Sequence, residues 1–279
     1  MSKLNIYVCV HKKDERTRSY TPFVPIHGGK KLHPEMDLGF IGDDTGDNIS
    51  DKNPMYSEWS VIYWIWKNCH DVDYIGLNHY RRYFNKDITQ DNIKAIMGDA
   101  DLIAVKRTNK SKRSRLDDLG MMTSLEDAYL FADSILSIHP DSKAALLKYL
   151  YNSTESFPFS MFIMKRALFE DYCNFVFPIL FDLERRIKKH GYSRQSRALG
   201  YFGEFSLGLF IYYRKLKVKG IEITGADELG SPFHRIINRV YKFYYQLPEL
   251  FLSTPKDIIV PDVIKTGLKN DGILLQQLK

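Results

Sequence analysis

The densest cluster of reactive side chains in this chain lies in the segment YIGLNHYRRYF, residues 74–84. Arg81 and Arg82 stand side by side there. A guanidinium binds phosphate oxygens through two parallel hydrogen bonds and keeps its charge at any physiological pH. Further hydrogen-bonding groups come from Asn78, His79 and Tyr80. The segment therefore predicts a site for a diphosphate, in which arginine rather than a metal ion stabilises the departing group.

The adjacency of the two arginines leaves two interpretations open. In an extended segment, Arg81 and Arg82 point to opposite faces, so that only one contacts phosphate while the other pairs with a carboxylate. Alternatively, both arginines close the end of a strand with salt bridges and bind no ligand. The first interpretation predicts a single arginine at the phosphate.

Glu204 is the only carboxylate in the apolar stretch LGYFGEFSLGLFIYY, residues 199–213. Burial disfavours the charged form of a carboxylic acid and raises its pKa toward the range that suits a general base. Glu204 is therefore the candidate base that removes a proton from an acceptor hydroxyl. The alternative is a structural glutamate that interacts with a helix dipole or an arginine. Glu58, which also stands among aromatic residues, is the second candidate.

Polar residues in two predicted loops are candidate ligand contacts. His11 and Lys12 follow the first predicted strand, where they are placed to meet a nucleotide. Asp47 and Asn48 lie in the polar, glycine-rich loop 27–54, and such side chains are suited to binding sugar or ribose hydroxyls. The loop lacks the pattern of a calcium-binding EF-hand, and its alternative interpretation is an ordinary turn-rich connection.

These side chains need strands and helices to position them. Apolar runs predict strands at 4–10, 73–77, 101–105, 158–164 and 221–224, and helical patterns occur at 58–68, 88–97, 144–151, 168–189 and 199–217. Ser57 is the predicted N-cap of the first helix. The alternation of strands and helices predicts an α/β fold with a mixed, mostly parallel sheet flanked by helices.

In such a sheet, ligands bind at the carboxyl ends of the strands. The segment that begins at Asn78 follows a predicted strand. Two Asp-x-Asp spacings precede their strands instead, namely Asp71 with Asp73 and Asp99 with Asp101. Aspartates at this spacing are common metal ligands, but these lie at the wrong end of the sheet. We therefore predict no metal site and no required cofactor, with manganese or magnesium as the alternative that chelation tests.

Composition bounds the remaining possibilities. The chain has 279 residues, 44% of them hydrophobic, which is enough for one packed domain, placed at 1–230, with an extension at 231–279. No apolar run reaches the length of a membrane span, and three cysteines without paired spacing predict free thiols in a cytoplasmic protein. The basic and aromatic stretch 233–252 predicts an amphipathic, helical extension, which either contacts the inner face of the cell membrane or packs on the domain.

Several stretches together resemble the domain-of-unknown-function family 4422 (DUF4422), which is found with capsular and O-antigen polysaccharide genes. They are GDNIS at 46–50, NPMYSEWSVIYWIWKN at 53–68, YIGLNHYRRYF at 74–84, FSMFIMKRALFEDYCNFVFPILFDLE at 159–184 and the helix that carries Gly203 and Glu204. The resemblance spans residues 4–225. It implies a bacterial glycosyltransferase with a GT-A-like fold, and part of the family is associated with transfer of galactofuranose from UDP.

The resemblance also implies roles for individual residues. It implies that His79, Arg81 and Arg82 lie near the donor diphosphate, that Asp47, Asn48 and Glu58 lie near the pocket, and that Glu204 is the base. Two positions depart from the family pattern, because Ser160 stands where asparagine is expected and Ser57 where cysteine is expected. The departure at Ser160 predicts altered sugar selectivity, and the departure at Ser57 predicts a difference in packing.

The resulting hypothesis is a glycosyltransferase that works by single displacement. It moves a sugar from a nucleotide donor, UDP-galactofuranose or UDP-galactose, to a bacterial surface polysaccharide or a lipid-linked oligosaccharide. The alternative is a non-catalytic module in which residues 106–115 and 233–245 bind nucleic acid or an anionic membrane, and the net charge of +6 fits either. Because of the resemblance, we favour the enzyme and expect no nucleic-acid partner.

Overall fold

The computed structural model describes residues 2–108, 114–153, 155–190, 193–225 and 255–278. The strands are β1 Leu4–Val10, β2 Phe23–His27, β3 Ile41–Gly42, β4 Tyr74–His79, β5 Arg82–Phe84, β6 Leu102–Ala104, β7 Arg107–Thr108, β8 Glu155–Ser156, β9 Phe162–Lys165, β10 Val218–Gly220 and β11 Ile223–Gly225. The helices are α1 Asn53–Tyr56, α2 Trp59–Asn68, α3 Ile93–Met97, α4 Arg115–Met122, α5 Leu125–Ile138, α6 Lys143–Asn152, α7 Arg166–Arg186, α8 Ala198–Arg214 and α9 Asp262–Asn270.

The main sheet has the strand order β10-β6-β9-β4-β1-β2-β3 among the described residues. β1 runs parallel to both β2 and β4, and β6 runs parallel to β10. β9 is inserted antiparallel between β4 and β6, while β5 and β11 extend the sheet from the end of β4. The predicted fold class, a mixed and mostly parallel α/β sheet flanked by helices, is confirmed.

The two faces of the sheet pack against different layers. Alternate side chains of β1 point to opposite faces of the sheet. Tyr7 packs in the large core with α2, α5, α7 and α8, and Ile6 packs in a smaller core that includes α3. Helix α8 packs closely on Trp59 of α2. A Cβ at Gly203 would overlap the Trp59 indole, so only glycine fits at this position. Glycine at this position lets α8 approach α2 and fixes where the neighbouring Glu204 lies.

Several element boundaries differ from the sequence expectation. Ser57 does not cap α2, since it ends α1 with a φ of 53° and its N–H bonds to the Asn53 carbonyl, and α2 is preceded by Glu58. β4 continues to His79, two residues beyond the predicted end, because His79 pairs with Arg82 in β5. The predicted strand 158–164 begins only at Phe162, since residues 158–160 form a turn.

The predicted extension is described in part. Residues 255–278 contain α9, and Ile258, Val260, Ile264 and Leu268 are buried in the same core as α5 and α7. The proposed domain boundary near residue 230 and the stretch 233–252 lie outside the described residues. None of the described helices is both long enough and apolar enough to cross a membrane.

Asp133, in α5, binds the backbone at the end of this C-terminal segment. Its carboxylate is fully buried and accepts hydrogen bonds from the backbone N–H groups of Gln276, Gln277 and Leu278, at 2.6–3.0 Å. The Arg186 guanidinium from α7 donates a further bond of 2.6 Å. A buried carboxylate is stable when it is paired and hydrogen-bonded in this way.

We expect Asp133→Asn to lower the free energy of unfolding by about 2–4 kcal/mol, because the amide loses the charge and points N–H groups at other donors. Urea unfolding measures the loss, and hydrogen exchange at residues 276–278 should speed up with it. Asp262→Asn is the matched control, since Asp262 forms only an exposed pair with Lys265. Equal stability of the two variants would contradict the role given to Asp133.

Candidate active site

A cavity of about 710 Å³, here named the basic cavity, opens at the carboxyl ends of β1, β2 and β4. Four of its lining residues carry permanent positive charge, namely Lys12, Arg81, Arg82 and Arg197. The rest of the lining consists of Cys9, His11, Gly28, His33, Asn53, Pro54, Ser57, Glu58, His79 and Tyr80. Such a charge distribution favours an anionic ligand, and the cavity lies where ligands bind in open α/β sheets.

Both adjacent arginines line the basic cavity, and the extended conformation that would have turned them to opposite faces is absent at Arg81. The reason is local: β4 ends at His79, and Tyr80 and Arg81 form the turn that leads into β5. The chain is therefore not extended at Arg81, and the alternation of faces does not apply. The Arg81 guanidinium lies 5.8 Å from the Tyr80 ring centroid, and that of Arg82 lies 4.4 Å from the Phe159 ring centroid.

His11 and Lys12 reach the basic cavity from the end of β1. The imidazole of His11 contacts the Tyr80 ring edge-on, with centroids 5.1 Å apart. Desolvation lowers the pKa of His11 below its ordinary value, and the positive charges of Lys12 and Arg81 act in the same direction. The imidazole is therefore neutral at neutral pH and is available to donate or accept a hydrogen bond.

The glycine loop after β2 is held by a carboxylate that does not line the cavity. Asp43 is fully buried and accepts hydrogen bonds from the N–H groups of Gly29 and Lys30, at 3.0 and 3.1 Å. The hydroxyls of Ser50 and Ser60 donate to the same carboxylate. Asp43 thus fixes the backbone that carries Gly28 into the cavity wall.

The structure places Asp47 and Asn48 outside the lining of the basic cavity. Asp47 accepts a hydrogen bond from the Tyr63 hydroxyl at 3.1 Å, and the Asn48 amide donates to carbonyls within its own loop. Their polar groups take part in hydrogen bonds that shape the loop, and contact of these two residues with a ligand stays a prediction. Asn78 also does not line the cavity, because its side chain is buried within β4.

Residues 158–160 form a strained turn, here named the left-handed turn, between β8 and β9. Phe159 and Ser160 both have positive φ, 72° and 51°. Each non-glycine residue in this region costs about 1–2 kcal/mol, and such strain persists only where surrounding contacts impose it. The contacts come from His79, whose Nε2 lies 2.7 Å from the Phe159 carbonyl, and from two carboxylates.

Glu58 and Glu204 both accept hydrogen bonds from the left-handed turn. The Ser160 hydroxyl donates to Glu58 Oε1 at 3.0 Å, and the Phe159 N–H donates to Glu204 Oε2 at 2.9 Å. Ser160 is 1% exposed and does not line the basic cavity, whereas its partner Glu58 does. Both candidate carboxylates therefore bond to one turn, although Glu58 precedes α2 and Glu204 lies in α8.

Glu204 does not line the basic cavity. It lines a second cavity of about 480 Å³, here named the methionine cavity, together with Arg107, Arg115, Asp118, Met121, Met122, Tyr149, Ser156, Phe157, Pro158 and Phe205. Burial raises the pKa of Glu204 to about 7, and the nearby Glu58 carboxylate acts in the same direction. The Phe159 N–H and the charges of Arg115 and Arg82 oppose this rise. A carboxyl group with a pKa near 7 is suited to proton transfer at physiological pH.

The left-handed turn stands between the two cavities. The Phe159 ring is flanked by Arg82, which lines the basic cavity, and by Arg107, whose guanidinium lies 5.0 Å from the ring centroid and which lines the methionine cavity. Residues 109–113 of the basic stretch lie outside the described residues, and Lys106 forms an ion pair with Glu155. The left-handed turn therefore contacts arginines of both the basic cavity and the methionine cavity, the second of which contains Glu204.

The Asp-x-Asp pairs lie at the amino ends of the strands, opposite the basic cavity. Asp71 and Asp73 bond to the side chain and backbone of Lys3, at the start of β1. Asp99 and Asp101 bond in the same manner to Lys217, before β10. Over the part of the chain that the structure describes, no group of three or more His, Cys, Asp or Glu side chains is arranged to hold a metal ion.

Some lining residues of the basic cavity escaped the sequence reasoning. Gly28 follows β2, so the strand-end rule would have included it had β2 been recognised. Arg197 precedes α8 and donates to the Ser57 hydroxyl at 3.0 Å, a contact between positions 140 residues apart. No local pattern predicts such a contact.

The fold and the two cavities define an α/β protein with a cationic ligand site at the carboxyl ends of its sheet. The chain belongs to the DUF4422 family, described as a domain of unknown function, whose model matches residues 5–215. The predicted family is thereby confirmed.

A solved structure with a similar fold is the apo form of WbbM, a bifunctional glycosyltransferase. It is 25% identical in sequence, with a TM-score of 0.73, and the match covers 81% of this chain and 46% of that one. The chain thus corresponds to less than half the length of WbbM. No curated protein matches the sequence.

Proposed function

We propose that this chain is a glycosyltransferase that binds a nucleotide-sugar donor in the basic cavity. The observation that carries the proposal is the left-handed turn, which brings a cationic cavity and a carboxyl group with a pKa of about 7 next to each other. The similarity to WbbM supports the same class of reaction.

The roles of the residues follow from the chemistry of a single displacement. The acceptor hydroxyl gives its proton to Glu204, and its oxygen attacks the anomeric carbon of the donor sugar. The bond between that carbon and the diphosphate oxygen breaks, and the electron pair leaves with the nucleoside diphosphate. Arg82 stabilises the charge that develops on the diphosphate, and Arg81 and Lys12 help to bind it.

The finer assignment rests on the resemblance described above. We propose UDP as the nucleotide, galactofuranose or galactose as the sugar, and a surface polysaccharide or lipid-linked oligosaccharide as the acceptor. Ser160 is proposed to influence sugar selectivity through its hydrogen bond to Glu58. Contact with the inner face of the membrane would involve residues 233–252, which lie outside the described residues.

We expect UDP to raise the melting temperature by about 5 °C or more when present at 100 times its Kd, because a ligand that binds only the folded state stabilises it. The shift should be the same in EDTA, since arginines replace the metal in this proposal. Uridine, which lacks the diphosphate, is the control and should give little shift. A shift with RNA but none with any nucleotide would favour the binding module instead, and a shift lost in EDTA would refute metal independence.

A further inference from the structure

The methionine cavity is separate from the proposed donor site, and its lining combines apolar and polar side chains. The apolar side chains are Met121, Met122, Phe157, Pro158 and Phe205. The polar side chains include Arg115, Asp118 and Glu204. A sugar ring has the matching character, because its hydroxyls lie around the edge and its C–H groups form an apolar face.

Arg115 places a cationic, hydrogen-bond-donating side chain in the lining of this cavity. The residue is 8% exposed, its Nη1 donates to Asp118 Oδ2 at 3.0 Å, and its guanidinium lies 4.8 Å from the Phe205 ring centroid. Its Nε finds no hydrogen-bond partner among the residues that the structure describes. That nitrogen is shielded from solvent, so a ligand would meet the guanidinium through the small part of the side chain that remains exposed.

The guanidinium of Arg115 and the carboxylate of Asp118 also form a matched pair for neighbouring hydroxyls. Arginine donates in a fixed plane, and a carboxylate accepts, so together they bind a diol as donor and acceptor at once. The cavity volume of about 480 Å³ lies in the range of small-molecule sites. The lining therefore suits a polyhydroxylated ring better than a purely apolar or purely anionic ligand.

We propose that the methionine cavity binds the acceptor saccharide, and this inference rests on the proposed function. The sugar ring lies with its C–H face on Met122 and Pro158 and its hydroxyls on Arg115 and Asp118. One hydroxyl faces Glu204, which takes its proton. The proposal requires the hydroxyl and the anomeric carbon of the donor to meet beside the left-handed turn, whose Phe159 N–H donates to Glu204.

The test measures saccharide binding directly, without the transfer reaction. Methyl glycosides of galactose, glucose and mannose, each at millimolar concentration with saturating UDP, are observed by saturation-transfer NMR on the full chain. We expect at least one glycoside to bind. Ser156→Trp places an indole in the cavity and should weaken that binding at least about fivefold, whereas the UDP shift in melting temperature should persist.

Two further variants secure the result. Ala95→Trp is the matched control, because Ala95 is exposed on α3, in the layer on the opposite face of the sheet, and the glycoside signal should be unchanged. Met122→Lys tests the same cavity if Ser156→Trp does not fold, and it should also weaken the glycoside signal. The inference is overturned if no glycoside binds or if binding survives in the cavity variants. Glycoside binding without any UDP binding would instead refute the proposed donor function alone.

Discussion

Replacing Glu204 by glutamine is expected to lower the turnover number for sugar transfer by about 10²- to 10⁴-fold, the usual contribution of a general base. Glutamine keeps the size of the side chain and still accepts the Phe159 N–H bond that Glu204 Oε2 accepts now. It cannot accept the proton of an acceptor hydroxyl. The KM for the donor and the thermal shift caused by UDP should therefore stay close to those of the unmodified protein.

The pH dependence of turnover tests the same assignment by a different route. A base acts in its ionised form, and burial raises the pKa of Glu204 to about 7. Turnover should therefore rise with pH through about 7 and fall about tenfold per unit on the acid side. The residual activity of Glu204→Gln should lack this limb. If the Glu204→Gln variant kept both the turnover number and the fall in turnover on the acid side, Glu204 would not be the base.

Stability provides an internal control for the glutamine variant. Because the folded protein raises the pKa of Glu204 from 4.5 to about 7, it binds more protons than the unfolded chain between these values. The free energy of unfolding therefore falls as pH rises from about 4.5 to about 7, and this loss is complete above that pH. Glutamine has no such titration, so Glu204→Gln should be at least as stable at pH 8, and its loss of turnover would not reflect unfolding.

The sequence was sufficient to locate much of the candidate site because the strand-end rule depends only on local patterns. The end of β1 and the end of β4 were both recognisable from apolar runs, and each delivers cavity residues, His11 and Lys12 in one case and His79 to Arg82 in the other. Glu204 was recognisable because a single carboxylate stands in an apolar helix. These predictions required no knowledge of tertiary contacts.

The left-handed turn could not be predicted, because its backbone is set by distant side chains. The sequence PFSMFIM has the composition of a strand, and Phe159 and Ser160 carry no intrinsic preference for positive φ. Contacts from Glu58, His79 and Glu204 impose that conformation. The division into two cavities depends on this turn, so it was beyond the reach of sequence patterns as well.

The differences from the sequence expectation have two causes. Asp47 and Asn48 fit a ligand by residue type, yet they bond to Tyr63 and to carbonyls of their own loop and do not line the basic cavity. Helices α4 and α5 were not predicted, although each begins with a local signal. Ser114 and Ser124 accept hydrogen bonds from the N–H groups of Asp117 and Asp127, a capping pattern that is readable as Ser-x-x-Asp.

Removing Arg82 should have the second largest effect. We expect Arg82→Ala to lower the turnover number by about 10²- to 10³-fold, because a fixed positive charge that acts on the transition state is lost. Burial and the Glu58 charge raise the pKa of Glu204, and the positive charge of Arg82 lowers it. The substitution should therefore also move the acid limb of the pH profile to higher pH, and pH-dependent steady-state kinetics measures both effects.

Arg81→Ala is the matched control, because Arg81 lines the same cavity but lies over Tyr80 instead of Phe159. Loss of Arg81 should mainly raise the KM for the donor and leave the acid side of the pH profile unchanged. The reason is that the Arg81 charge contributes to donor binding more than to the transition state. Arg82→Lys should restore part of the turnover and return the limb toward its original position, because lysine keeps the charge without the planar fork. If both alanine variants changed only KM, the arginines would bind the donor without stabilising its departure, and the leaving group would require another source of charge. If Arg82→Ala lowered turnover but left the limb unmoved, Arg82 would act on the diphosphate alone, and the left-handed turn would not transmit charge between the two cavities.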